Sequence, residues 1–118
     1  MVGKIYNNII EVRQGDSFTL NLEINDKCKP MNLVGAAVLM QVRDKDSGIL
    51  IFEVSGTPVD AAHGKIALLL TPIETENEVG DYVCDIQITT AGGEVHTIYP
   101  ADVNKIATFR ITGQVTHD

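Results

Sequence analysis

Polar and apolar residues alternate with a period of two along much of the chain. In "SFTLNLEI", Phe18, Leu20, Leu22 and Ile24 fall on one side and Ser17, Thr19, Asn21 and Glu23 on the other. That is the pattern of a strand with one face in a core and the other in water. "KIALLLT" places Ile66, Leu68 and Leu70 together, and "DYVCDIQITT" does the same for Tyr82, Cys84, Ile86 and Ile88. "AAVLMQVR", "ILIFEV", "EVHTIYP" and "KIATFRITGQV" read as further strands, and "KIYNNIIEV" as one more at the N-terminus. The breaks between them are turn-like: "NDKCKP", "DKDSG" and "AGG", with "TPVDAAHG" a loop. Pro100 ends its run because proline has no N–H to give a ladder. "PIETENEVG" is the single helical hint, about one turn long.

The pattern predicts about seven to eight strands and no long helix, an all-β chain folded as one antiparallel β-sandwich. At 118 residues a single domain, 1–118, is the expectation, with a core over about 11–111 and a loose C-terminal end at 113–118. No apolar run approaches the roughly 20 residues of a membrane helix. "MVGKIYNNIIEVRQGD" has no apolar segment or small-residue cleavage site of a signal peptide.

The "AAVLMQVR" and "ILIFEV" pair has two apolar faces. A five-residue loop over "DKDSG" pairs Arg43 with Ile49, Val42 with Leu50, Met40 with Phe52 and Val38 with Val54. Even-numbered residues then face the core and Glu53 faces water. The same parity turns Leu39, Ile49 and Ile51 outward, a candidate protein interface, unless a loop such as "KPMNLVG" covers them. A four-residue loop would flip the parity.

The remaining composition narrows the function. Net charge is −7, from 9 basic and 16 acidic residues, which disfavours nucleic acid and anionic membrane as partners. Tyr82, two residues before Cys84, suits a core aromatic or a tyrosine corner, whose hydroxyl bonds to upstream backbone. A Cys28–Cys84 disulfide is disfavoured, since Cys28 lies in a turn, Leu20 and Leu22 occupy the matching strand, and the chain has no Trp. Cys84 reads as a buried apolar residue.

Candidate chemistry is sparse, and neither catalysis nor a cofactor is expected. His63, His96 and His117 form no metal-ligand spacing. His96 faces outward if the "AGG" loop has two or four residues, and inward if it has three. Asp44, Asp46 and Gly48 fit a hairpin turn better than a calcium loop, which needs Gly at Ile49 and Glu at Ser55. "AGGE" lacks the context of a phosphate loop, and Ser17, Ser47 and Ser55 sit in no nucleophile elbow. The acids of "PIETENEVGD" read as a solvated loop.

Gly15-Asp16 opening the first clear strand, Pro30 to Val38 ("PMNLVGAAV") and Gly80-Asp81-Tyr82 followed by Asp85-Ile86-Gln87-Ile88 occur in that order. Together with "AAHGKIALLLT" they resemble the N-terminal domain of phage and prophage baseplate upper proteins and related tail-fibre modules, over about Glu11 to Ile111. The resemblance implies an immunoglobulin-like sandwich, without a catalytic site, that docks to other virion proteins, with homo-oligomers in the particle a further possibility. The chain stops after the sandwich, so a free-standing adaptor at the tail, baseplate or fibre attachment is expected, located in the virion. A capsid or neck decoration protein is the alternative place. A cellular protein- or carbohydrate-binding module is the alternative class, with only Tyr6 and Tyr99 to offer a sugar platform among 5% aromatic residues.

Overall fold

The computed structural model describes residues 4–6, 8–26, 29–100 and 105–113. Its strands are β1 (Lys4–Tyr6), β2 (Ile9–Arg13), β3 (Phe18–Glu23), β4 (Asn25–Asp26), β5 (Lys29–Pro30) and β6 (Ala37–Arg43), then β7 (Leu50–Ser55), β8 (Thr57–Asp60), β9 (Lys65–Leu70), β10 (Gly80–Thr89), β11 (Val95–Tyr99) and β12 (Ala107–Thr112). One sheet runs β1-β2-β12-β10-β6-β7, with β11 also paired to β10; a second runs β3-β9-β8. The two pack around one core as a β-sandwich. All pairings are antiparallel except β2 with β12, which run parallel. Parallel pairing is possible here because the whole sandwich lies between those two strands in the chain, far more than the dozen or so residues a crossover needs.

The period-two faces become the core. Phe18 and Leu20 from β3, with Ile66, Leu68 and Leu70 from β9, meet Val38, Met40 and Val42, Cys84, Ile86 and Ile88, and Phe109 and Ile111 across the sandwich. Leu22 and Tyr82 are half-buried and pack against this cluster. Phe109 has no exposed surface and meets Phe52 edge-to-face, with ring centroids 5.4 Å apart. Alternation on both sheets puts these side chains on facing surfaces, where burying them stabilises the fold by about 25 cal/mol per Å².

Three local features differ from the sequence expectation. "TPVDAAHG" is not all loop: β8 pairs with β9, followed by a 3-10 turn over Ala61–His63. Strands β7 and β8 are separated by Gly56 alone, where the chain leaves one sheet for the other. A Cβ there would lie 2.8 Å from the Cβ of Val38, so only glycine permits the close crossing. "KIYNNIIEV" forms two strands with Asn8 between them at φ 62°. "PIETENEVG" does begin with a helical turn, α1 (Pro72–Thr75). Thr71 caps it, accepting from Ile73 N at 3.3 Å, while Glu74 Oε1 accepts from Thr71 N at 2.7 Å. Buried Thr75 donates its hydroxyl to Asp16 O at 2.8 Å and ties this turn to the Gly15-Asp16 corner. The expected loose end over 113–118, Cys28 and His117 lie outside the described residues, apart from Gly113.

Candidate docking surface

The outer face of the seven-stranded sheet is built from the odd-numbered residues of β6 and β10. β6 pairs with β10 so that Leu39 faces Gln87, Gln41 faces Asp85 and Arg43 faces Val83. On the other side β6 pairs with β7, Met40 with Val54 and Val42 with Phe52. The expected Val42–Leu50 register is therefore wrong by two residues. Two causes combine. The turn is long: Asp44 Oδ2 accepts from Asp46 N at 3.1 Å and Ser47 N at 2.8 Å, Gly48 takes φ 75°, and Asp44 N closes onto Ile49 O. A β-bulge then follows, with Arg43 opposite Leu50 and Ile51 the extra residue. Parity survives from Phe52 to Ser55, where the shift is even and Glu53 remains exposed; past the bulge it does not, and Leu50, expected to face the core, lies opposite Arg43 and is 39% exposed.

Leu39 and Ile51 are half-buried and lie outside the core cluster, while Ile49 is 65% exposed at the hairpin tip. "KPMNLVG" turns inward at its centre: Leu33 is buried in the core, and its N–H bonds to Ala61 O at 2.7 Å. Around Leu39 and Ile51 runs a polar row in which Gln41 donates to Glu53 Oε2 at 3.1 Å and Arg43 donates to Gln41 Oε1 at 3.2 Å and Gly48 O at 3.0 Å. Further along the sheet, Arg110 makes a two-point contact with Asp81, at 2.7 and 3.2 Å, and lies 3.9 Å from Glu11. The Arg110 hydrogen bond holds the Asp81 carboxyl below its ordinary range.

The face also contains a notch that the sequence pattern missed. β10 is shared on one side by two strands in tandem: β12 pairs with Gly80 to Cys84, and β11 pairs with Ile86 to Thr89. Asp85 sits at the gap between them. The notch, about 410 Å³, is lined by Arg43, Val83, Asp85, Pro100, Lys105 and Ile106 among others. Burial raises the Asp85 carboxyl, and the opposing effect of Arg43 does not cancel it. The only sequence signal for the notch was Pro100, which ends β11 early.

The remaining candidates are accounted for by structure. The "AGG" turn closes with Thr90 N on Glu94 O, a three-residue loop, so His96 lies opposite Ile88, yet it stays half-exposed at the sheet's end. His63 contacts Asp60 at 3.0 Å in solvent. Cys84 is buried with a free thiol whose pKa is pushed up to about 12, chiefly by burial. The Tyr82 hydroxyl donates to Glu78 O at 2.6 Å, the geometry of a tyrosine corner. Among the described residues no group of three or more His, Cys, Asp or Glu is placed to hold a metal ion. None of their helices is long and apolar enough to cross a membrane.

Residues 2–99 match the family model described as the BppU N-terminal domain. The match stops before β12, although β12 lies between β2 and β10 in the sheet. Among solved structures, CopC from Methylosinus trichosporium OB3b is similar at 13% identity and TM-score 0.50, covering 92% of this chain and 87% of that one. Murine CRIg is similar at 11% identity and TM-score 0.41, covering 91% and 92%. No curated protein matches the chain.

Proposed function

The chain belongs to the family of BppU (baseplate upper protein) N-terminal domains, and on that premise we propose that it is a non-catalytic adaptor that docks to other proteins of a phage baseplate. Membership makes it a baseplate-associated structural domain; the adaptor role and the docking face are our reading. One observation carries the face: outside the core cluster, half-buried Leu39 on β6, half-buried Ile51 at the β7 bulge and Ile49, 65% exposed at the hairpin tip, are spaced along one hairpin, with the Gln41–Glu53 rung between Leu39 and Ile51. The polar row of Gln41, Arg43 and Glu53 between them resembles the mixed character of a non-obligate interface.

The test is incorporation into particles. Phage carrying Ile49→Lys or Ile51→Lys are purified, labelled with antibody-bound gold and viewed by negative stain. With wild-type protein, gold at the baseplate is expected. Both variants are expected to keep the wild-type circular dichroism spectrum and to lose the label. Gold over the head or neck would move the protein to a decoration role and refute the baseplate assignment. Normal incorporation of both variants would refute this docking face.

A further inference from the structure

An open sheet edge can take up another strand, and folded domains shorten, bend or charge the edges they leave open. Most edges here carry such a device. β1 has three residues. β7 has its bulge at Ile51, and β8 has Pro58 and a register shift. β11 has a register shift and runs into Pro100. β3 differs. Its register on β9 runs unbroken from the Phe18–Leu70 pair to the Glu23–Lys65 pair. It holds no proline, lysine or arginine, and its one charge, Glu23, is its last residue. Among the described residues, only β9 pairs with it.

The direction of its backbone groups follows from the ladder. In an antiparallel pair, alternate residues turn both groups toward the neighbour and those between turn theirs away. Ile24 N donates to Gly64 O at 2.9 Å, one step past the Glu23–Lys65 pair. Counting back by twos, Leu22, Leu20 and Phe18 face β9. Pro58 agrees from the far side of β9: it sits opposite Ile66, where a proline needs the non-bonded position, so Ile66 turns its own groups toward β3. The N–H and C=O groups of Thr19, Asn21 and Glu23 therefore point away from β9, and all three residues are exposed.

We propose that β3 is the pairing edge for a second copy of this chain, joined antiparallel about a two-fold axis at Asn21. The strand's own symmetry selects this occupant. An isologous pair about Asn21 sets that residue against itself and Thr19 against Glu23 of the second copy. Every backbone group that β9 leaves free on Thr19, Asn21 and Glu23 then finds a partner. Leu22, half-buried in the single chain, meets Leu20 of the second copy. Like charges stay apart, because each Glu23 lies between Lys65 of its own β9 and a threonine of the second copy. Moving the axis to Leu20 or Leu22 pushes Glu23 or Thr19 past the end of the other strand. Moving it to Glu23 sets two acids face to face. The edge lies on the three-stranded sheet, so the proposal does not rest on the hairpin docking face.

The experiment is sedimentation equilibrium of the 118-residue chain, with amide hydrogen exchange by NMR at low and high concentration. One added strand buries less than the roughly 1,600 Å² of a standard interface, so the series extends to about 1 mM chain. A monomer–dimer equilibrium is expected. The amides of Leu20 and Leu22 should be protected at every concentration, and those of Thr19, Asn21 and Glu23 only as dimer forms. Thr19→Glu should weaken the dimer about tenfold, because the axis places the new pair of acids twice, and Thr19→Lys should tighten it several-fold. Both change an exposed side chain and are expected to keep the wild-type circular dichroism spectrum. A chain that stays monomeric throughout the series would overturn the proposal. So would a dimer that leaves the Thr19, Asn21 and Glu23 amides unprotected, or one that Thr19→Glu and Thr19→Lys shift in the same direction or not at all.

Discussion

Replacing Tyr82 in two steps separates its hydroxyl from its ring. The hydroxyl donates to Glu78 O at 2.6 Å, across the corner where the chain enters β10. This bond is open to solvent, so water replaces part of it when the hydroxyl is removed. Tyr82→Phe should therefore cost about 1 kcal/mol, the net worth of an ordinary hydrogen bond. Tyr82→Ala also removes a ring packed against the core. Full burial would make that loss about 3–5 kcal/mol, and half-burial about 2, so the total is about 3 kcal/mol. Urea unfolding followed by far-UV circular dichroism measures both, since the chain has no Trp to report. Both midpoints should fall with the slope unchanged. An unchanged midpoint for Tyr82→Phe would refute the corner as a stabilising contact. Equal losses for the two variants would refute the division between hydroxyl and ring.

Gly64→Ala should cost about 3 kcal/mol or more by the same assay, because φ is +73° and a Cβ would collide with Ile24 O, whose neighbouring N–H bonds back to Gly64 O; a wild-type midpoint would refute the close approach. Tyr99→Phe should raise stability at neutral pH by about 1 kcal/mol, since among the described residues its buried hydroxyl has no partner. The Tyr99 hydroxyl is also pushed up from 10.0 to about 12, mainly by burial. Its folded pKa is raised, so the stability tied to the neutral form is present below pH 10 and is lost as pH rises toward about 12. Tyr99→Phe should flatten that alkaline loss, and an unchanged pH profile of the melting temperature would refute it.

Parity was legible in the sequence, and register was not. The alternation in "SFTLNLEI", "KIALLLT" and "DYVCDIQITT" identified Phe18, Leu20, Leu68, Leu70, Cys84 and Ile86, all buried in the structure. Period-two patterning is local, and a strand whose face is wrong exposes every apolar residue at once. The same physics made Tyr82 and the capped turn at Pro72 readable, because each depends on residues within a few positions. Sliding β7 by two residues against β6 preserves the faces from Phe52 to Ser55, so the hydrophobic pattern there is indifferent to the choice, while the bulge turns Leu50 outward. Asp44's bonds in the turn and the bulge at Ile51 decided it.

The sequence by itself determined an all-β sandwich, its core face and its acidic, turn-punctuated surface. Tertiary structure alone decided the parallel β2–β12 pair, the sheet switch at Gly56 and the notch at Asp85. Each arises where segments distant in the chain compete for hydrogen bonds to one strand or for space beside one side chain. Such competition leaves no period in the sequence of either segment: Asp85 reads as one more outward polar residue until β11 and β12 part on either side of it.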